Sequence, residues 1–269
     1  MLVGGALALD GGHFSVLSWL VILSVALLMQ IATNALNEYG DYRHAVDTVP
    51  SAGFAGIIVS GEVRANEVLY TAAASYGMAF LLGLGLVLER GLGLLILGAL
   101  AILAGIVYSE GPVPISSTPL GEVLVGVVMG PVEVVSANIA ASGSVSLLGL
   151  VYSVPVALTV TSILLANNLR DVEKDREHGR RTVAVLVGRG RGLILLYCLI
   201  AAAFLWSLPA YLVFSAPSYI FLTWLALPVA AKGCSDLARG KVWDESVTII
   251  ARVHILLGLL LAISVVLAL

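Results

Sequence analysis

Long apolar runs separated by short polar stretches make up most of this chain. The first run of full length extends from about Phe14 to Leu36, and seven more are centred near Ala79, Ala99, Val127, Leu158, Leu205, Ala226 and Leu259. Each is close to the roughly 20 apolar residues that an α-helix needs to cross a bilayer. Residues 1–9 are apolar but too few to cross alone. The pattern therefore predicts eight complete membrane-spanning helices preceded by a truncated first helix.

Composition agrees with insertion in a membrane. Hydrophobic residues make up 59% of the 269 positions and charged residues 12%, and the mean hydropathy is +1.03, whereas about a quarter of residues are charged in soluble domains. We expect an all-α protein in which residues 1–269 form a single integral-membrane domain. The net charge of −3 and the lack of aromatic residues among the loop cations argue against nucleic-acid binding. No obligatory protein partner is indicated.

Lys and Arg are distributed unevenly among the predicted loops. We number the short first helix one. Of the 14 Lys and Arg residues, 12 then lie in loops that follow an even-numbered helix, and the two exceptions are Arg90 and Arg252. The positive-inside rule assigns such loops to the cytoplasm. The sequence therefore predicts a multi-pass protein of the cell membrane whose candidate site opens toward the cytoplasm.

Two acidic motifs follow the second and the sixth predicted helix. The first extends from Asn37 to Asp47 and the second from Asn168 to Asp175. Ionisable side chains at the end of a membrane helix are costly and usually functional. Because the motifs end helices that are four apart, we expect a parallel duplication of a four-helix unit, with the two halves facing each other across a central cavity.

The spacing of polar side chains within the motifs predicts an oxygen-rich cation site. Asp171 and Asp175 are four residues apart, and Asn37 and Asp41 repeat that separation, so each pair shares a face if the segment is helical. Asn168, three residues before Asp171, adds a neutral oxygen. Such hard oxygen ligands suit Mg²⁺, which keeps water ligands and bridges to substrate phosphates. The motifs therefore predict a site for Mg²⁺ and a diphosphate.

Three other interpretations of the acidic motifs stay open. A secondary transporter would also use intramembrane acids in a duplicated bundle, but transporter sites lie near the bilayer midplane rather than at helix ends. A purely structural scaffold would leave the matched spacing unexplained. The carboxylates could also pair with neighbouring cations in a solvated loop, namely Arg43, Arg170, Lys174 and Arg176.

Four stretches of the chain carry a family resemblance. They are Asn37 to Thr48, the YSEGPVP segment that begins at Tyr108, LGE at 120–122 with GP at 130–131, and Asn167 to Gly188. On these stretches the chain resembles the UbiA superfamily of intramembrane prenyltransferases, which carry an Asn-led acidic motif after the second helix and a DxxxD motif after the sixth. More narrowly, it is similar to the 1,4-dihydroxy-2-naphthoate polyprenyltransferases of menaquinone biosynthesis.

The resemblance implies a nine-helix bundle with two four-helix pseudo-repeats around a cavity that opens laterally to lipid. It implies Mg²⁺ as cofactor, and a polyprenyl diphosphate and an aromatic acceptor as substrates. The expected reaction ionises the allylic C–O bond before the aromatic ring attacks the cation. The YSEGPVP and NNLRD segments favour 1,4-dihydroxy-2-naphthoate, whose carboxylate would be lost to give demethylmenaquinone. Alternative acceptors within the superfamily are 4-hydroxybenzoate, homogentisate and geranylgeranylglyceryl phosphate.

The resemblance also assigns roles to residues of this chain. The residues implied to bind metal and diphosphate are Asn37, Asp41, Asp171 and Asp175, with Asp47 and Asn168 in support. Contacts to the diphosphate are implied for Arg43, Arg170, Lys174 and Arg181, since charge-assisted bonds to phosphate oxygens are strong. Tyr108 and Ser109 are expected to orient the acceptor or to stabilise the allylic cation.

Two features depart from the family pattern. Relatives begin with a complete first helix preceded by a short polar segment with Arg or Lys, whereas this chain begins about halfway along that helix. Relatives also carry an Arg or Lys shortly before a Ser-Gly pair, but no cation lies between Arg43 and Arg64 in this sequence. The second departure weakens the expected diphosphate clamp, so either Arg64 substitutes for the missing cation or a substrate differs.

Overall fold

A computed structural model describes residues 1–10, 14–44, 56–239 and 243–269. The regular secondary structure of these residues is helical throughout, which confirms the predicted all-α class. The chain divides into two compact units. The larger unit contains Met1–Trp19 and Glu122–Leu269, and the smaller unit contains Leu20–Gly121.

Twelve α-helices occur in the described part of the chain. They are α1 (Leu2–Asp10), α2 (Val16–Arg43), α3 (Ala65–Arg90), α4 (Leu92–Ser109), α5 (Gly121–Val127), α6 (Glu133–Ser142), α7 (Leu147–Arg170), α8 (Val172–Glu177), α9 (Val183–Leu205), α10 (Ser207–Leu212), α11 (Leu227–Ala238) and α12 (Trp243–Val266). Three tighter or wider helical segments complete the set, namely 3-10 segments at Ile115–Ser117 and Ser218–Ala226 and a π-helical segment at Val128–Val132.

Eight helical stretches of the described residues are long and apolar enough to cross a membrane. They are Val16–Arg43, Ala65–Arg90, Leu92–Ser109, Gly121–Ser142, Leu147–Arg170, Val183–Leu212, Ser218–Ala238 and Val247–Val266. Each predicted run falls within one of them, which confirms the prediction of eight spans. The segment before them, α1, has nine residues. The eight apolar stretches identify the chain as an integral membrane protein.

The core of the larger unit surrounds α7. Helix α7 packs against α9 and α12, and α1 packs against α6 and α12. The side chains at the centre of these contacts are fully buried and mostly branched aliphatics. They include Leu165, Leu169, Leu196, Val253 and Leu257. Because lipid is as apolar as these side chains, close packing rather than exclusion of water stabilises the helix contacts.

The span Gly121–Ser142 is interrupted where it crosses α7. Pro131 lies inside the π-helical segment, where its missing N–H and its ring disturb the regular hydrogen bonds. One residue earlier, Gly130 lies so close to α7 that an added Cβ would be 2.5 Å from Cβ of Ala157. Gly130 therefore allows a close approach of the two backbones that no larger residue permits.

Three helices of the smaller unit, α2, α3 and α4, meet at one glycine. Only Gly91, with φ of 95°, separates α3 from α4, so these helices turn sharply and pack against each other. Thr33 Oγ1 lies 3.1 Å from the Tyr76 hydroxyl and joins α2 to α3. Both oxygens lie next to Gly105 of α4. One hydroxyl pair and one glycine therefore bring three membrane helices together.

We expect the substitution Gly130→Ala to destabilise the larger unit. The new methyl group would overlap Ala157, and overpacking of this kind costs about 1–3 kcal/mol. The melting temperature of the detergent-purified protein should fall. Gly149→Ala is the matched control, because no atom lies within 4 Å of its added Cβ. Equal melting temperatures for the two variants would contradict the packing described for Gly130.

Candidate active site

Residues 37–43 of the first acidic motif form the last turns of α2, in the smaller unit. The Asn37 side-chain amide donates to Asp41 Oδ2 at 3.2 Å, so the predicted i, i+4 pair is in contact. Ser109 Oγ, at the end of α4, donates to Asn37 Oδ1 at 3.5 Å. Ser109 therefore lies beside the acidic motif.

A glycine brings α2 and α4 together at this motif. An added Cβ on Gly40 would lie 2.8 Å from the Ser109 carbonyl oxygen. That separation is too short for any side chain, so only glycine allows the contact between Asn37 and Ser109. Tyr108, the neighbour of Ser109, is half-buried.

Two glutamates that were not predicted to be site residues belong to the surroundings of the first motif: Glu38 lies within it, and Glu110 contacts it from the residue after α4. Glu110 Oε2 forms an ion pair with Arg43 at 3.2 Å, and Glu110 Oε1 is buried without a hydrogen bond from a described residue. Glu38 is buried and accepts from the backbone N–H groups of Gly56 at 2.9 Å and Ile58 at 3.2 Å. Glu38 therefore holds the backbone at Gly56 and Ile58, before α3 begins. Arg43 already has a carboxylate partner in Glu110.

The second acidic motif lies across a helix break in the larger unit. Helix α7 ends at Arg170, and Asp171, with φ of −94° and ψ of 11°, separates it from α8. The spacing of the motif suggested one continuous helix, whereas the structure divides the motif between two helices. The Asp175 N–H still donates to the Asp171 carbonyl oxygen at 2.9 Å, so one helical turn joins them. Asp171 is 39% exposed and Asp175 is 3% exposed.

Asp175 is paired with a cation that was not among the predicted site residues. Arg180 Nη1 lies 3.2 Å from Asp175 Oδ1, and the Arg180 N–H donates to the Asp175 carbonyl oxygen at 2.9 Å. Burial raises the pKa of the Asp175 carboxyl above its ordinary value, Arg180 opposes the shift, and the charge of Asp171 adds to it. Arg180 therefore helps to keep Asp175 charged within the protein.

Two of the four cations predicted to contact diphosphate, Arg170 and Lys174, belong to the second motif, and a third, Arg181, follows it in the chain. Arg170 forms two bonds to its neighbour, with Nε 2.9 Å from Asp171 Oδ1 and Nη2 2.7 Å from Oδ2. Lys174 is half-buried and Arg181 is exposed.

The remaining candidate of the first motif, Asp47, lies outside the described residues.

Asn168 contacts a buried carboxylate that was also missed as a site residue. Its amide nitrogen donates to Glu122 Oε1 at 2.9 Å. Glu122 is only 5% exposed, and Thr161 Oγ1 donates to its backbone oxygen at 3.3 Å. The sequence does contain a signal for Glu122, because an ionisable residue at the start of an apolar run is rarely without function.

The donor set fits a cation that is held jointly with a phosphate. No group of three or more His, Cys, Asp and Glu side chains that could hold a metal occurs in the described ranges, so a cage made of protein alone is not formed by them. Each motif instead offers one or two carboxylates beside a carboxamide. Mg²⁺ is usually bound in this way, by one or two carboxylates together with waters and substrate phosphates.

Three comparisons show which known proteins this chain is similar to. The model of the UbiA prenyltransferase family matches residues 1–239. The 1,4-dihydroxy-2-naphthoate octaprenyltransferase of Bacillus subtilis (strain 168) is 32% identical over 242 residues, which is 90% of this chain and 78% of the relative. A UbiA homolog from Aeropyrum pernix K1, solved in its apo form, superposes with a TM-score of 0.73 at 20% identity. The superposition covers 97% of this chain and 96% of the homolog.

A second solved structure has the same fold. It is a UbiA homolog from Archaeoglobus fulgidus bound to DMAPP and Mg²⁺, with a TM-score of 0.62 at 17% identity, covering 100% of this chain and 95% of its own. The family match and the Bacillus subtilis relative identify the protein as a prenyltransferase of the membrane. It belongs to the UbiA prenyltransferase family.

We expect Arg180→Met to destabilise the protein, because it leaves the buried Asp175 without its partner. Removing one member of a buried ion pair costs about 3 kcal/mol, while the methionine retains most of the apolar stem. Thermal unfolding in detergent should therefore begin at a lower temperature. Arg181→Met, at the exposed neighbouring position, is the control and should melt like the unaltered protein. A similar small effect of both changes would show that Arg180 does not stabilise Asp175.

Proposed function

We propose that this prenyltransferase transfers a polyprenyl group from polyprenyl diphosphate to 1,4-dihydroxy-2-naphthoate and releases demethylmenaquinol, the reduced form of demethylmenaquinone, together with CO₂ and diphosphate. The observation that carries the proposal is the 32% identity to the Bacillus subtilis octaprenyltransferase over 90% of the chain. In this reaction the allylic C–O bond breaks and the diphosphate leaves with the electron pair. The ring carbon that carries the carboxylate forms the new C–C bond, and CO₂ then leaves.

The acidic motifs supply the ligands of the donor diphosphate. Asn37, Asp41, Asp171 and Asp175 would hold Mg²⁺, with Asn168 and Asp47 in support. Mg²⁺ when bound neutralises the negative charge that develops on the leaving diphosphate. The contact between Asn37 and Asp41 supports a shared role for these two residues. In the second motif, the helix break presents the partly exposed Asp171 while Asp175 stays buried.

Cations near the carboxylates would bind the remaining phosphate oxygens. Arg43 is 61% exposed in its ion pair and Arg170 is 35% exposed, so each can exchange a carboxylate oxygen for a phosphate oxygen at modest cost. Lys174 and Arg181 would add positive charge beside the second motif. The four cations would then offset part of the negative charge of the carboxylates and the diphosphate.

Tyr108 and Ser109 would act on the acceptor side of the reaction. The contact of the Ser109 hydroxyl with Asn37 supports this role, because Asn37 is one of the residues proposed to hold Mg²⁺. The electron-rich face of Tyr108 could stabilise the allylic cation through its ring quadrupole. The distribution of Lys and Arg along the chain supports a site that opens toward the cytoplasm.

We expect Asp41→Ala and Asp171→Ala each to reduce Mg²⁺-dependent prenyl transfer by roughly 100-fold or more, because each removes a charged ligand used at the transition state. Transfer is measured as radiolabelled prenyl product formed by purified protein in lipid vesicles. Glu62→Ala and Glu177→Ala, which remove exposed carboxylates near the two motifs, are the controls. Full activity of both aspartate variants would refute the proposed diphosphate site.

We expect 1,4-dihydroxy-2-naphthoate to be the acceptor that is consumed. Membranes that contain the protein are incubated with prenyl diphosphate, Mg²⁺ and one acceptor at a time, and products are separated by chromatography. The comparison set contains 4-hydroxybenzoate, homogentisate and geranylgeranylglyceryl phosphate, with membranes that contain Asp171→Ala as the background. Consumption of another acceptor alone would show that the naphthoate assignment is wrong.

A further inference from the structure

Glu122 is an ionisable residue in an apolar segment, and the proposed function gives it no role. It lies in the first turn of α5 and is 5% exposed, and an apolar run follows it in the chain. A carboxylate that is removed from water in this way is costly unless other groups satisfy it. Its retention therefore requires a reason in the surrounding contacts.

The first contact of Glu122 determines the orientation of Asn168. The Asn168 amide nitrogen donates to Glu122 Oε1 at 2.9 Å. Because Glu122 Oε1 accepts this bond, the NH₂ end of the carboxamide faces Glu122 and the oxygen end points away. Of the described residues, none donates a hydrogen bond to Asn168 Oδ1. Glu122 therefore leaves the oxygen of Asn168 available.

The second oxygen of Glu122 indicates that the cluster is incomplete. Within the described ranges no group forms a hydrogen bond with Glu122 Oε2, although the atom is buried. The backbone N–H groups of Glu122 and Val183 face the carboxyl group, and the charge of Asp175 acts on it. A carboxylate with a purely structural role normally has both oxygens satisfied. An oxygen without a donor, near a second carboxylate, is typical of a site that a cation or a donor group completes.

We propose that Glu122 is a positioning residue, which orients Asn168 so that Asn168 Oδ1 is presented as an oxygen ligand for the Mg²⁺–diphosphate complex. The inference rests on the proposed function, because it assigns Asn168 to that complex. Groups that orient a metal ligand are worth about 10- to 100-fold in metal affinity. Glu122 would therefore act on binding of the donor, before any acceptor is present.

The test measures donor binding without turnover. Radiolabelled geranyl diphosphate is titrated into the detergent-purified protein at several Mg²⁺ concentrations and no acceptor is added. We expect Glu122→Ala to weaken Mg²⁺-dependent binding by about 10- to 100-fold. Glu122→Gln should retain most of the binding, because its carbonyl oxygen can still accept from Asn168. Melting temperatures are recorded for every variant so that loss of binding can be separated from loss of fold.

A reversed pair tests the contact itself. Asn168→Asp should weaken binding, because two carboxylates would then face each other. In the double variant Asn168→Asp with Glu122→Gln, the glutamine amide can donate to the new carboxylate, so binding should recover by about 10-fold relative to Asn168→Asp alone. If Glu122 only stabilised the fold, its replacement would change the melting temperature. The Mg²⁺-dependent donor binding of the protein that remains folded would be unchanged.

Asp236→Asn is the matched control, since Asp236 is a carboxylate of the larger unit that is 8% exposed. It should bind the donor like the unaltered protein. Wild-type binding by folded Glu122→Ala would refute the positioning role and leave the proposed function intact. An effect of Glu122→Ala on turnover alone would also refute it, and so would a double variant that binds no better than Asn168→Asp. If the unaltered protein binds no geranyl diphosphate with Mg²⁺, the proposed function itself is wrong.

Discussion

The cost of placing carboxylates at the ends of apolar helices is the constraint on which this structure depends. In lipid or in a packed interior, each carboxylate needs a donor or a cation, and it strongly destabilises the fold without one. Asp175 meets this requirement through Arg180 and Asp171 through Arg170. Glu38 does so through two backbone N–H groups. The pairing groups therefore determine where the acidic residues lie, and through them which ligands the protein can hold.

Most of the fold could be predicted from the sequence, because membrane spans depend mainly on length and hydropathy. All eight predicted runs, including those centred near Ala79 and Leu259, lie in helices that can cross a bilayer. The family could also be predicted, since the resemblance of the segments at Asn37 and Asn167 agrees with the family match. Contact between Asn37 and Asp41 followed from helical spacing, and the structure contains it.

The parts that were missed depend on contacts between residues far apart in sequence, or on local backbone geometry. Glu122 and Asn168 are 46 positions apart, and no periodic pattern relates them. The break at Asp171 was missed because an i, i+4 spacing is compatible with a continuous helix as well as with one turn after a break. Arg180 was passed over because the loop contains several cations, and only the packing of Asp175 distinguishes it. The metal and diphosphate roles of the acidic residues remain predictions.

The two acidic motifs begin with the same residue type, but the groups that hold that residue differ. The Asn37 amide donates to Asp41 and its oxygen accepts from the Ser109 hydroxyl, whereas the Asn168 amide donates to the carboxyl group of Glu122. The motifs are therefore not interchangeable cassettes. If either motif were introduced into another membrane protein, its side chains would be present but the asparagine would not be oriented. The distant serine or glutamate would have to be introduced as well.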